Sequence, residues 1–261
     1  MIKSWIFEFF ATPPQLIEHF DPALSLRHFD GYLDAWTSAE AAGFEGIFFS
    51  EHHFGTSYSP SPNLLIAAVA ARTKSLRLGV MGMVPPYHSP WRLVEEIGML
   101  DHLTGGRLEI GTSPGIPPEM AQVGLSVEEA RARYDEAAKA GRKARPDDLC
   151  LRRQVVMDDD AEALAKRRVA YREFLKFDPR LNLPDRPALD TPLSHSFTIG
   201  DEEFIGGDPA AIAEQIATQC RSAGAGHFAG LFDRLISPAQ TMDIYRKFGE
   251  AVIPRLRAAP V

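Results

Sequence analysis

Residues 76–115, LRLGVMGMVPPYHSPWRLVEEIGMLDHLTGGRLEIGTSPG, decide the fold. The stretch opens on an apolar run (76–84) of strand type that stops at Pro85-Pro86. A helical pattern follows, with Ser89 at the N-cap position, Pro90 at the first helical position and Gly105-Gly106 past its end, the asymmetry that marks a helix start and stop. Residues 107–115 are again strand-like and open into a Gly/Pro loop. A strand, a helix and a second strand joined by short connections predict a right-handed βαβ unit, and therefore parallel strands.

The same alternation extends outward. SWIFEFF (4–10) is aromatic and ends at Thr12-Pro13-Pro14, residues 29–42 have helical spacing up to Gly43, and GIFFS (46–50) is continuously apolar. Such a run suits a parallel strand covered on both faces. PNLLIAAVAARTKS (62–75) predicts the next helix. Beyond residue 115 the pattern loosens. It predicts a polar helix over 117–143, a strand over 149–157 and a helix capped by Asp160. A Pro-rich loop over 178–200 leads to a helix over 206–224, capped by Asp208 with Pro209 at its first position. A last strand (226–233) and a closing helix (237–258) complete the chain. No G-x-G-x-x-G follows the first strand, which counts against a dinucleotide-binding sheet. The expectation is one α/β domain over 1–261: a TIM-type (β/α)8 barrel, incomplete or modified, with about six recognisable strands where eight are needed.

Composition narrows the function. A chain of 261 residues that is 45% hydrophobic has enough apolar material for a sizeable core. Its net charge of −7, with both signs interspersed, argues against nucleic acid and against a polybasic membrane surface. Cys150 and Cys220 lie outside any C-x-x-C spacing, as expected of two free thiols in a reducing cytoplasm. The N-terminal run lacks a long apolar segment with a small-residue cleavage site, and no stretch is long enough to span a bilayer.

In parallel α/β folds the reactive groups collect at the C-terminal ends of strands. Glu51, His52 and His53 occupy that place on the second strand, Thr12 on the first, Met83 to His88 on the third and Thr112 to Gly115 on the fourth. Imidazole titrates near neutrality and serves as acid, base or metal ligand. One packed and one solvated histidine is the plainer alternative. A metal needs a third ligand that no H-x-x-x-H or C-x-x-C spacing supplies. Gly79 and Gly82 inside a strand mark either a bulge or a close backbone approach. Arg107 is expected to be a structural charge at the strand edge.

FFSEHHF (48–54), the L-x-x-G strand with its following prolines, and the helix ending LDHLTGGR (100–107) together resemble the bacterial luciferase-like monooxygenases. The likeness covers residues 4–120 and resumes at 149–165 and at GGDPAAIAEQI (206–216). It implies a flavin-dependent (β/α)8 barrel using reduced FMN from a separate flavin reductase, with O2, on a small organic substrate. By position, His52 matches the active-site histidine beside the flavin ring, with Glu51 orienting it or ordering the mouth and His53 as second choice. Met81-Gly82 matches a non-proline cis peptide under the ring. Ser113 matches a reactive cysteine position, within a cofactor wall of Met81, Gly82, Met83, Thr112, Ser113 and Gly115. The resemblance also implies a homodimer through the helices at 62–75 and 89–106. Two departures stand out. Pro114 replaces a common arginine, and the fifth and sixth strands are missing, an apparent internal deletion near 137–149 that removes much of the flavin phosphate site. A flavin-binding protein without turnover and a deazaflavin-dependent oxidoreductase are the alternatives, and an interaction protein whose exposed sheet edges a partner covers is a third.

Overall fold

The computed structural model describes residues 1–54, 57–139, 149–174, 201–233 and 236–259. Within them the chain runs β1 (Lys3–Glu8), α1 (Pro14–Glu18), α2 (Pro22–Ala41), β2 (Gly46–Phe49), α3 (Pro62–Ala70) and β3 (Arg77–Met83). It continues with α4 (Pro90–Thr104), β4 (Leu108–Thr112), α5 (Pro117–Gln122), α6 (Val127–Lys139) and β5 (Cys150–Met157). Last come α7 (Ala161–Phe174), β6 (Phe204–Gly207), α8 (Pro209–Ala223), β7 (His227–Leu231), α9 (Pro238–Ala251) and α10 (Ile253–Ala258). The expected deletion near 137–149 and the expected loop at 178–200 fall mostly or wholly on residues outside those described.

The strands form one seven-stranded sheet in the order β4-β3-β2-β1-β7-β5-β6, with every pairing parallel. Among the described residues, β4 and β6 are therefore its edges. The strand missing from the sequence-based count is β6. It is four residues long, ends in Gly206-Gly207 and follows an acidic 3₁₀ turn at Asp201–Glu203, so it offers no apolar alternation to detect. Two expected helices are each divided. Gly124 turns the chain at φ +76° between α5 and α6, a conformation suited to glycine. Pro254, which has no backbone N–H, sits at the start of α10 and separates it from α9.

Caps explain several boundaries. Asp208 accepts from the N–H groups of Ala210 and Ala211 at the start of α8, and Asp160 accepts from Glu162 at the start of α7. Ser237 and Gln240 form a reciprocal capping box on α9. Ser89 occupies its N-cap position without a side-chain hydrogen bond, while Gly105 closes α4 in the left-handed region at φ +63°.

Side chains alternate across the sheet, and the two faces carry different cores. Ile2, Ile6, Phe10, Ile47, Phe49, Leu78, Val80 and Phe228 join the large helix-covered cluster. Trp5, Phe7, Ala229 and Leu231 form a second cluster on the other face, with Phe9, Phe48, Met81 and Cys150 packed on it. Trp5 and Phe48 stack there at 4.6 Å. The alternation slips once. Met83 joins the helix-side cluster with Leu78 and Val80, because the β3–β4 register shifts between Val80 and Met83. The Met81–Gly82 peptide in that interval is cis.

Candidate active site

The sheet's strand ends meet at the stretch after β2. Glu51 is buried, its side chain only 1% exposed. Its Oε1 accepts from His53 Nε2 at 3.0 Å and from His88 Nε2 at 2.7 Å. Its Oε2 accepts from the Val84 backbone N–H at 3.0 Å. Burial pushes the Glu51 carboxyl up. The hydrogen bonds from His53 and His88, the His88 charge and the Val84 N–H outweigh it and hold the group at about 2. The same bond to Glu51 raises the His88 imidazole above its ordinary value, against the opposing effect of burial. Glu51 thus clamps the end of β2 to the turn after β3.

His52 is held by a different carboxylate. Its Nδ1 lies 3.0 Å from Oε1 of Glu119, on α5, and that same oxygen accepts the His53 backbone N–H at 3.0 Å. An oxygen already accepting one N–H is an acceptor for the second, so His52 donates from Nδ1 and presents Nε2 as a base when neutral. Glu119 is buried at 3% exposure, and His52 is 27% exposed. The imidazole leans on Phe9, with ring centres 4.6 Å apart, and Phe9 packs on the Trp5–Phe7 cluster. Glu51, expected to orient His52 or to order the mouth, is directed at His53 and His88.

The other expected residues lie on the neighbouring strand ends. Met83 pairs with Thr112 across β3 and β4, and the Ser113 N–H donates to the Met83 carbonyl at 2.7 Å. The Gly115 N–H donates to Ser113 Oγ at 3.2 Å. Gly82 is pressed against β4, where an added Cβ would lie 2.8 Å from the Thr112 carbonyl carbon. Thr112 Oγ1 and Tyr134 Oη are 3.3 Å apart on the exposed side. Met81 faces the aromatic cluster, whereas Met83 belongs to the helix-side core. Thr12 lies outside β1, and Phe9 is the residue after that strand that reaches His52.

Glu119 was not singled out in the sequence, while Tyr87 and His88 fell within the expected Met83 to His88 strand end without a role of their own. Glu119 follows two prolines just past the fourth strand, and an acid in that position was the available signal. His88 lies in PPYHSP after the third strand. Tyr87, beside it, donates to the Ile116 carbonyl at 3.3 Å and accepts the Ile116 N–H at the same distance. Burial, then the charge of Glu119, push the Tyr87 hydroxyl upward. Arg107 is structural as expected: its guanidinium donates to Thr104, Ala70, Thr73 and Leu76 carbonyls and to Thr73 Oγ1.

Residues 16–138 match the family model described as luciferase-like monooxygenase. A protein of Sinorhizobium fredii, y4wF, is 44% identical over 113 residues, 41% of this chain and 33% of that protein. The chain thus matches only about a third of the length of the curated relatives it resembles. Among solved structures, the monooxygenase RslO1 of Streptomyces bottropensis superposes with a TM-score of 0.74 at 19% identity, over 97% of this chain and 99% of the other. The oxygenating constituent of 3,6-diketocamphane monooxygenase from Pseudomonas putida, solved with FMN, gives 0.65 at 15% identity, over 98% of this chain and 99% of the other. At those identities the structures speak for the fold, and residues 16–138 are the part of the chain that is similar to the luciferase-like monooxygenases in sequence.

Proposed function

We propose that this protein is an FMN-dependent monooxygenase of the luciferase-like class, acting with O2 and a partner flavin reductase on a small organic substrate. The observation that carries the reading is the His52 imidazole, fixed through Nδ1 by buried Glu119 and set beside an aromatic floor. The residues present fit a flavin ring. Phe9, Phe48, Trp5, Phe7 and Met81 supply a flat apolar face, and the glycine-bearing ends of β3 and β4 lie beside it. Bound reduced FMN would supply the activation of oxygen.

The chain's own residues would manage the rest. His52 Nε2 would take or return a proton at the mouth of the pocket, as the imidazole nitrogen left unbonded by Glu119 can. Glu119 would keep that nitrogen aimed inward. Glu51, with His53 and His88, would hold the strand ends in register, and the aromatic floor would keep water from the reacting centre. Met81, Gly82, Thr112, Ser113 and Gly115 would form the wall on which the ring rests, without Met83, which packs into the helix-side core.

The working unit in this proposal is a cytoplasmic homodimer. No described helix is long and apolar enough to cross a membrane. Leu64 on α3 and Trp91, Val94, Met99 and Leu103 on α4 are large apolar side chains left exposed, and Gly98 sits among them with open space beyond its Cα. A second copy of the chain is the expected cover.

The reading is tested by titrating the purified protein with reduced FMN under anaerobic conditions and then admitting oxygen. Micromolar binding, with oxygen consumption that changes in His52→Ala, is the expected result. Absence of flavin binding would overturn the cofactor assignment, and unaltered oxygen consumption in His52→Ala would overturn the role of His52.

A further inference from the structure

Glu8 is a buried carboxylate with no part in the chemistry proposed above. Alternation along β1 sets Ile6, Glu8 and Phe10 on the helix-covered face. Ile6 and Phe10 join the large core there, and Glu8 is only 6% exposed. A charge is costly in such a place unless hydrogen bonds hold it. Glu8 Oε2 accepts from the Trp36 indole N–H at 2.8 Å, and Oε1 accepts from the Phe10 backbone N–H at 2.7 Å. Trp36 lies on α2 and is fully buried, so the carboxylate is anchored to a helix as well as to its own strand end.

The bond to Phe10 fixes an unusual piece of backbone. Phe10 has φ +41°, and among the described residues Phe54 is the one other non-glycine residue with a positive φ. That conformation is unfavourable for a bulky side chain. It persists where the surroundings over-determine it, and such strain clusters at functional sites. Glycine would relieve the backbone, but the core uses the Phe10 ring, which has Phe29 and Trp36 each at 4.9 Å and Tyr32 at 5.3 Å. The residue enclosed between the Glu8 side chain and the Phe10 N–H is Phe9. Its carbonyl accepts from Ser57 Oγ at 3.2 Å, and the Phe10 carbonyl accepts from the Tyr58 N–H at 2.7 Å. The Phe9 ring leaves on the opposite face of the sheet, packs on the second cluster and meets the His52 imidazole at 4.6 Å.

We propose that Glu8 is a positioning residue for His52, acting from the far side of the sheet. The carboxylate, fixed by Trp36, holds the left-handed turn at Phe10, and that turn sets the Phe9 ring against the imidazole. Glu119 fixes one nitrogen of His52, and Glu8 fixes the surface on which the ring lies. A role in turnover rests on the monooxygenase reading above, whereas the positioning itself does not.

The experiment reads the Phe9–His52 contact by NMR on the whole chain without flavin. Its signals are the nuclear Overhauser effect between the two rings and the ring-current shift of the carbon-bound protons of His52. Glu8→Leu is of similar size and removes both acceptors. It is expected to lose the Overhauser effect and to move the His52 shifts towards those of an unstacked imidazole. Glu8→Gln is expected to retain only part of the contact, because one oxygen must serve two donors. Ile216→Val, a change in the same helix-side core on α8, is expected to leave the contact as in wild type, which separates positioning from general loosening. An unchanged contact in Glu8→Leu, or an equal loss in Ile216→Val, overturns the proposal. Where the protein turns over, kcat in Glu8→Leu is expected to fall by about 10-fold or more, and a lost contact with unchanged kcat overturns the role in turnover. If wild type shows no flavin-dependent turnover while Glu8→Leu still loses the contact, the monooxygenase reading falls and the positioning stands. Should Glu8→Leu not fold, Glu8→Gln decides alone, and a contact equal to that of wild type overturns the proposal.

Discussion

Glu119 Oε1 and His52 Nδ1 meet at 3.0 Å although 67 residues separate them in the chain. The same oxygen also accepts the His53 backbone N–H, so its lone pairs are committed to accepting and the proton between it and His52 belongs to the ring. The consequence is a His52 ring that carries a proton on Nδ1. Nitrogen-15 shifts of His52 should report that tautomer in the wild type and a mixture of tautomers in Glu119→Ala. Glu119→Gln, which retains an oxygen acceptor, should restore much of the wild-type signal. Turnover, where present, should fall by about 10²-fold in the alanine variant and less in the glutamine variant. Identical tautomer populations in wild type and Glu119→Ala would dismiss Glu119 as the positioning residue.

The Glu51–His88 pair makes a pH prediction whose sign is fixed. Glu51 is depressed from its ordinary 4.5 to about 2, so its contribution is present above 4.5 and is lost as pH falls towards 2. A difference of that size corresponds to something on the order of 3 kcal/mol. His88 is raised from 6.5, so its contribution is complete below 6.5 and is lost as pH rises through its higher folded value. Thermal midpoints of wild type and Glu51→Gln should therefore differ most between about pH 4.5 and 6.5, and their gap should close on acidification. A gap that is flat from pH 6 to pH 2.5 would contradict the assignment.

How much of this was visible in the sequence depends on the range of each interaction. Strands β1 to β4 and their helices carry their own local signals: apolar runs, Pro at helix starts and Gly at helix ends. The placement of Glu51, His52 and His53 at a strand end followed from that pattern alone. What the pattern could not provide was pairing across the mouth. Glu51 adjoins His52 in sequence and Glu119 lies 67 residues away, yet Glu119 is the one that holds His52. The choice depends on where α5 crosses the strand ends, a tertiary fact. β6 escaped notice for a local reason, since two of its four residues are glycine.

Arg107 tests the structural side of the same reading. Its five donor contacts tie the turn after α3 to the end of α4. Removing the guanidinium leaves several carbonyls without partners, so Arg107→Ala should lower unfolding stability by about 3 kcal/mol. Arg107→Lys should recover only part of it, because a point ammonium cannot reach a forked set of acceptors. Urea midpoints provide the measurement, and a loss below about 0.5 kcal/mol in the alanine variant would show that solvent replaces these bonds at little cost.

Gly82 sets the approach of β3 to β4. A Cβ there would sit 2.8 Å from the Thr112 carbonyl carbon and 3.0 Å from the Ser113 nitrogen, both backbone atoms that cannot rotate aside. Gly82→Ala should therefore spread the two strand ends and destabilise by about 1–3 kcal/mol. Gly111, across the same pair, is a useful contrast, since an added Cβ there lies 3.2 Å from the nearest atom. Gly111→Ala should be the milder of the two in unfolding experiments. The reverse order would mean that the β3–β4 separation is not fixed by Gly82.

The exposed face of α4 decides the oligomer. Trp91, at 66% exposure, and Leu103, at 58%, make few contacts within the chain, so replacing them should leave the folded monomer intact. Trp91→Glu combined with Leu103→Lys puts charges on a surface that a second copy would have to desolvate. Sedimentation should show the wild type as a dimer and the double variant as a monomer, with far-ultraviolet circular dichroism unchanged. A wild type that sediments as a monomer at high micromolar concentration would refute the homodimer outright. A double variant that stays dimeric would move the interface to another face. Gly98, with nothing within 4 Å of an added Cβ in the single chain, refines the test. Gly98→Ala should stabilise an isolated helix by roughly 0.8 kcal/mol, yet weaken the dimer if two α4 helices approach closely there. A rise in monomer stability together with a weaker dimer is the signature of that packing.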